Sequence, residues 1–115
     1  MATRAAVVEK FGRDSVRITW SGLLNTDSGE AVTFGVYTDR SVQVVGTFGT
    51  GGTVTMQGSN DNTNFVALSD ARGAALAINT ARIEQIEDLS YSIKPVITAG
   101  DGTTNLKVVL FARCK

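Results

Sequence analysis

The sequence has no histidine, a single cysteine and a single proline, and its eleven acidic residues are balanced by eleven basic ones. Without histidine it lacks the side chain that titrates near neutral pH and the commonest nitrogen ligand for metals. A Ser/His or Cys/His nucleophile pair is excluded, and a zinc site nearly so. Cys114 stands alone one residue from the end, so no intrachain disulfide can form and an oxidising compartment gains no support. Long apolar runs are missing too. The start, M-A-T-R-A-A-V-V-E-K, reaches Glu9 and Lys10 after only a few apolar residues. Neither a signal segment nor a bilayer span is expected, and the chain should stay in a cytosol-like compartment unless it leaves within a larger assembly. Zero net charge argues against a dedicated nucleic-acid binder, because affinity for phosphate backbones rests on accumulated Lys and Arg.

What is present is strand-forming. The 115 residues are 43% hydrophobic with twelve glycines, and Val and Thr are frequent. Branching at Cβ is well tolerated on a pleated, half-buried surface. From Thr53 to Asp70 two alternating segments flank the polar turn Gly-Ser-Asn-Asp-Asn-Thr-Asn, the pattern of a β-hairpin in an antiparallel sheet.

The rest of the chain divides in the same way. Residues 1–14 lack sustained periodicity and are expected to form an N-terminal arm, with Gly12 and Asp14 as breakers; residues 15–115 are expected to form a single β-sandwich domain. Val16, Ile18 and Trp20 alternate with Arg17 and Thr19, and Trp20 is the natural core anchor. Ala31 to Tyr37 reads as a strand with Val32, Phe34 and Val36 on one face. Ser41 to Phe48 reads as another, with Val42 and Val44 opposed to Gln43 and Val45. Gly49-Thr50-Gly51-Gly52 is expected to fold that strand back onto Thr53 to Gln57 as a hairpin, and Ala99-Gly100-Asp101-Gly102 to make a second one. Between them, Ile83, Ile86 and Leu89 recur every third residue after Asn79-Thr80, which predicts one or two helical turns. Pro95 belongs at an edge or a bulge. Asn105 to Ala112 is apolar on both faces, as suits a central strand or one covered by a second sheet or subunit. The predicted fold is all-β, an antiparallel β-sandwich of jelly-roll or Greek-key type with at most one short helical turn.

No motif points to catalysis. Gly49 to Gly52 lacks the Lys-Ser/Thr of a phosphate loop, and Asn60-x-Asn62-x-Asn64 has Phe65 and Ala71 where a calcium loop needs Gly and Glu. Asx side chains that bond their own backbone account for the Asn/Asp cluster. Glu84 and Glu87 read as a solvated face. We therefore expect no enzyme activity, metal or cofactor. Charge is unevenly spread, however. Residues 18–106 hold nine acids against four bases, while Arg4, Lys10, Arg13, Arg17, Lys107, Arg113 and Lys115 make both ends basic. An acidic body with basic ends suits docking on an acidic partner or on another copy.

The string G-T-V-T-M-Q-G-S-N-D-N-T-N-F-V-A-L-S-D, followed by I-E-Q-I-E-D and Y-S-I-K-P-V-I-T-A-G-D-G-T-T-N-L-K-V-V-L-F-A-R, resembles small structural proteins of tailed bacteriophages over about residues 41–113. Where the common pattern has Arg beside the aromatic, this chain has Ser90-Tyr91-Ser92. The resemblance implies a virion β-sandwich of the capsid decoration, or cement, type, made in the bacterial host cytoplasm and arrayed in many copies on the capsid surface. Its partners would be the major capsid protein and copies of itself, a homo-oligomer for which a trimer is one order. Neither nucleic acid nor membrane would be a partner. Under that reading Arg4, Lys10, Arg13, Arg113 and Lys115 are the candidate capsid and subunit contacts. A tail or head-to-tail accessory subunit is the alternative, and it would differ in copy number only. Gly-Ser-Asn-Asp before an aromatic is also similar to the hairpin of discoidin-like carbohydrate-binding jelly rolls, for which Phe48, Phe65 and Tyr91 would be the stacking candidates.

Overall fold

The computed structural model describes residues 2–33 and 37–114. Twelve strands are found among them: β1 (Thr3–Arg4), β2 (Ala6–Phe11), β3 (Ser15–Leu24), β4 (Ser28–Gly29), β5 (Val32–Thr33), β6 (Asp39–Thr47), β7 (Thr53–Ser59), β8 (Val66–Ala67), β9 (Ala77–Ile78), β10 (Arg82–Ile86), β11 (Ser92–Ala99) and β12 (Asn105–Arg113). They form two facing sheets. One runs β10-β6-β12-β3-β2 and is antiparallel throughout. The other runs β1-β4-β11-β7-β8, with β5 also on β11 and β9 also on β7. The all-β sandwich expected from alternation is the fold observed, with no helix among the described residues.

The inner halves of the alternating strands make the core. Val16, Ile18, Trp20, Val42, Val44, Val108 and Leu110 come from the five-stranded sheet, and Val54, Met56, Ile78, Ile93 and Ile97 from the other. Trp20 is fully buried and its Nε1–H donates to Glu30 O at 2.9 Å. Its strand continues past Gly22, whose φ of 66° lies in the left-handed region. There β3 places Ser21 and Gly22 opposite Lys107 alone, a bulge between the Val108–Trp20 and Leu106–Leu23 pairs. The extra residue resets the alternation, so that odd-numbered Leu23 points into the same core as even-numbered Trp20.

Four local expectations are corrected. Residues 6–11 do not form an arm: β2 pairs with β3 as the sheet's edge strand. It overhangs the core, and Val7 to Phe11 are all exposed, which is why its sequence shows no alternation. Residues 82–86 are strand rather than helix, hydrogen-bonded to β6 from Arg82–Val44 to Ile86–Arg40. Of the three residues spaced by three, only Ile86 is buried, while Ile83 and Leu89 face water. Pairing with β6 outweighs a weak local helical preference there.

The remaining two corrections concern the glycine turns, neither of which closes a hairpin. β6 and β7 lie in opposite sheets, as do β11 and β12, so both turns carry the chain across the sandwich. They lie against each other. Asp101 Oδ2 accepts from Thr50 N–H at 2.8 Å, and Thr104 Oγ1 donates to Phe48 O at 2.8 Å. Gly49 has φ of 71° and a Cβ there would strike the Asp101 carboxylate, so glycine is required on two counts.

Pro95 lies within β11 opposite Met56 of β7, at a point on the other edge where neither β4 nor β5 pairs with it. The missing N–H therefore falls in a gap between two short neighbours. The strand expected over 31–37 is seen as β5, while Phe34, Gly35 and Val36 lie outside the described residues.

Candidate functional site

Three of the five candidate contact residues share one end of the five-stranded sheet. Lys10 sits opposite Val16 near the end of β2, Arg13 is in the turn from β2 to β3, and Arg113 ends β12 opposite Ser15. Cys114 N–H donates to Asp14 O at 2.7 Å, which ties the chain's last described residue to that turn. Arg113 Nε bonds Asp39 Oδ2 at 2.8 Å, so much of its charge is met within the chain. Lys10 and Arg13 have no ion-pair partner among the described residues and are exposed. Lys115 lies outside the described residues.

Arg4 is placed elsewhere and differently. Its Nε donates to Oδ2 of the buried Asp27 at 2.8 Å. Asp27 also accepts from Ala2 N–H at 3.0 Å and Leu24 N–H at 3.0 Å. Burial pushes this carboxyl up, and the bonds from Leu24, Arg4 and Ala2 more than offset it, holding the group below the usual carboxylate range. Arg4 thus serves as half of a staple that fixes β1 beside β4, in parallel register Thr3–Ser28 and Arg4–Gly29. The sequence offers no sign of this, since acceptor and donor are more than twenty residues apart.

The polar turn of the β7–β8 hairpin is organised by Asp61 and tied to the start of β11, where Tyr91 N–H donates to Asn60 Oδ1 at 3.1 Å. Asp61 Oδ1 accepts from Ser59 Oγ, Thr63 N–H and Asn64 N–H, and Oδ2 from Asn64 Nδ2. These donors, led by the Asn64 N–H, hold the carboxyl far below its ordinary value. The turn is the Asx chemistry expected of its composition. Beside it lies an open depression of about 210 Å³ lined by Asn60, Asn64, Val66, Asp88, Leu89 and Ser90. Of the three aromatics considered for sugar stacking, Phe48 packs against the core, Phe65 lies 4.3 Å beneath the Lys94 amine, and Tyr91 is 54% exposed. Phe11 and Phe111 are exposed as well, so the aromatics are less uniformly inward than the alternation suggests.

The outer faces of the two sheets differ in kind. On one, Thr53, Thr55, Gln57, Lys94 and Thr98 project, and Thr55 Oγ1 and Thr98 Oγ1 share a 3.0 Å hydrogen bond. On the five-stranded sheet, the register aligns Ile83, Gln43, Val109, Thr19 and Val7 in one row across all five strands. Phe111 stands in the next row between Ser41 and Arg17, beside a depression of about 340 Å³ that also involves Asp39, Gln85 and Arg113. Among the described residues no group of three or more His, Cys, Asp or Glu could hold a metal ion.

Two facing antiparallel-rich sheets linked by crossovers define the protein as a β-sandwich of the jelly-roll class. No family model matches the chain, and no curated protein matches it either. Among solved structures it is similar to the SPBc2 prophage-derived protein YomS, with a TM-score of 0.66, 13% identity, and coverage of 93% of this chain and 98% of that one. An RmlC-like cupin protein from Desulfovibrio desulfuricans gives 0.52 at 7% identity over 95% and 82%. A cupin domain from Bordetella pertussis gives 0.50 at 9% identity over 100% and 98%. At such identities the likeness establishes the fold and carries no chemistry with it.

Proposed function

We propose that the protein is a non-enzymatic structural component of a tailed-bacteriophage virion that binds the assembled capsid and stabilises it as a decoration protein. The observation that carries this reading is the likeness, end to end on both chains, to a protein described as prophage-derived. The lack of histidine and the internally satisfied Asp27, Asp61 and Asp101 carboxylates support a passive rather than a chemical role. A protein that binds only the assembled shell stabilises that state by mass action, and many weak copies add up through avidity. Its partners would be the major capsid protein and further copies of itself, at the capsid surface.

The contact end of the sheet supplies the test. Deleting residues 1–13 would strip an edge strand as well as remove charge, so the cleaner variant is Lys10→Glu with Arg13→Glu, which leaves the backbone pairing of β2 in place. Purified protein should co-sediment with empty shells at hundreds of copies per particle by gel densitometry, and the double variant should lose that uptake. A dozen copies would point to a tail or head-to-tail position instead, and no uptake by any shell tried would end the reading. One observation favours a second function, glycan binding: exposed Tyr91 beside the depression at Asn60, Asn64 and Asp88. A sugar-dependent shift of the Tyr91 amide, lost in Tyr91→Ala, would support it; silence across a broad glycan panel would remove it.

A further inference from the structure

We infer that the outer face of the five-stranded sheet is where two copies of the protein meet, face to face about a twofold axis. The inference deepens the reading above by naming the surface through which copies touch, and it rests on that part of it.

The starting point is β12, the middle strand of the sheet and apolar on both sides. Its inner residues Val108 and Leu110 are fully buried by the facing sheet. Among the described residues the outer ones are only partly covered: Val109 is half-buried, Phe111 is 41% exposed, and Ile83 and Val7 at the two ends of the Val109 row are 63% and 60% exposed. The other sheet's outer face carries Thr, Gln and Lys around a single half-buried Val96. Several large apolar side chains exposed across one outer face are the mark of a face that is covered in use.

The pattern on this face fits a second copy. The row Ile83-Gln43-Val109-Thr19-Val7 reads apolar, polar, apolar, polar, apolar. A half-turn about an axis along β12 therefore sets Ile83 against the other copy's Val7, Gln43 against Thr19, and Val109 against itself. An isologous contact needs such self-complementarity, because the same patch serves both partners. Charge is mostly settled within the face. Arg17 binds Glu9 at 3.0 Å and Arg113 binds Asp39 at 2.8 Å, which leaves Lys107 as its one unpaired charge among the described residues. The same half-turn sets Lys107 against the other copy's Lys107, a repulsion that salt screens, so association should strengthen as salt is raised. The size lies at the low end of what a stable contact needs: strands of five, nine, nine, ten and six residues, about 4.8 Å apart at about 3.3 Å per residue, cover roughly 600 Å². Standard-size interfaces bury about 600–1,000 Å² per partner.

Sedimentation velocity of the free protein at roughly 100 µM tests the inference, since a contact of this size is expected to hold at that concentration. The expected result is twice the monomer mass. Phe111→Lys and Ile83→Lys, each placing a charge on the face without touching the core, should each weaken association by at least tenfold, whereas Val66→Lys, equally exposed on the other sheet, should not. Circular dichroism and melting of the same samples confirm that each variant is folded. A monomeric wild type, an odd-numbered oligomer, or a dimer unmoved by both face variants overturns the proposal. Shells are absent from this measurement, so its failure and the failure of capsid binding are separate results.

Discussion

The two outer faces of this sandwich are built on the same backbone alternation, yet one is lined with Thr53, Thr55, Gln57 and Thr98 and the other with Val7, Ile83, Val109 and Phe111. The inner halves of both sheets are equally apolar because they share one core. That sharing constrains every second residue and leaves the others free, so the outer set records what each face meets. The polar face is finished by the chain itself, with a hydroxyl pair and a Lys94 amine over Phe65. The apolar face is left unfinished.

The largest effect is expected where the comparison assumes one rigid body. Trp20, on the five-stranded sheet, lies against Gly29 and Pro95 of the other, where a Cβ on Gly29 would strike both. Trp20→Ala should cost about 3–5 kcal/mol, from the cavity and from stranding the Glu30 carbonyl. Hydrogen exchange should then show both sheets losing protection in a single step. Loss confined to one sheet would mean that the two faces belong to separately stable units, and the contrast between them would lose its meaning.

A smaller loss should fall on one side only. Asp27→Ala removes the acceptor for Ala2, Arg4 and Leu24, at an expected cost of about 2–3 kcal/mol by chemical denaturation. Exchange should quicken first in β1 and around Leu24, while β7 and β11 keep their protection. The pH dependence follows from the sign of the shift. Asp27 titrates below its unfolded value, so its contribution is fully present above about pH 4 and fades as pH falls through the lower folded value. Asp61, Asp70 and Asp101 are shifted the same way, so stability should fall steadily on acidification below about pH 4. The Asp27→Ala protein should show a shallower fall than wild type. An equal slope would mean that the staple contributes nothing to acid sensitivity.

How much of this could be read from the chain depends on whether a residue's environment is set locally. Val16, Ile18 and Trp20, Val42 and Val44, and Val54 and Met56 announce buried faces because alternation is a property of neighbours. Asp61 announces its turn for the same reason, since its partners are two and three residues away. The glycine turns at 49–52 and 100–102 are recognisable as turns, but a turn has the same chemistry whether its strands pair or diverge to opposite sheets. β2 leaves no pattern because it overhangs the core with both faces wet. Of the candidate site, the basic character of the ends was readable. Their division into an exposed group at Lys10 and Arg13 and a stapled Arg4 was not, because Asp27 is distant in sequence. The apolar outer face left one trace, the two-sided apolar character of β12.

The smallest effects sharpen the comparison most directly, because they exchange character between the faces at little cost to the fold. Thr55→Val on the polar face keeps β-branching and volume but gives up the bond to Thr98 Oγ1, two terms of opposite sign on a half-exposed site. Its net change in monomer stability should stay within about 0.5 kcal/mol. Phe111→Thr on the apolar face removes a side chain that is only partly covered in the monomer, and should cost about 1 kcal/mol or less in dilute solution. The two variants should separate when protein concentration is raised. If copies meet through the Phe111 face, the melting temperature of wild type and of Thr55→Val rises with concentration, because only the folded state associates. That of Phe111→Thr stays nearly flat. Three parallel curves would show that the unfinished face is finished by something other than this chain.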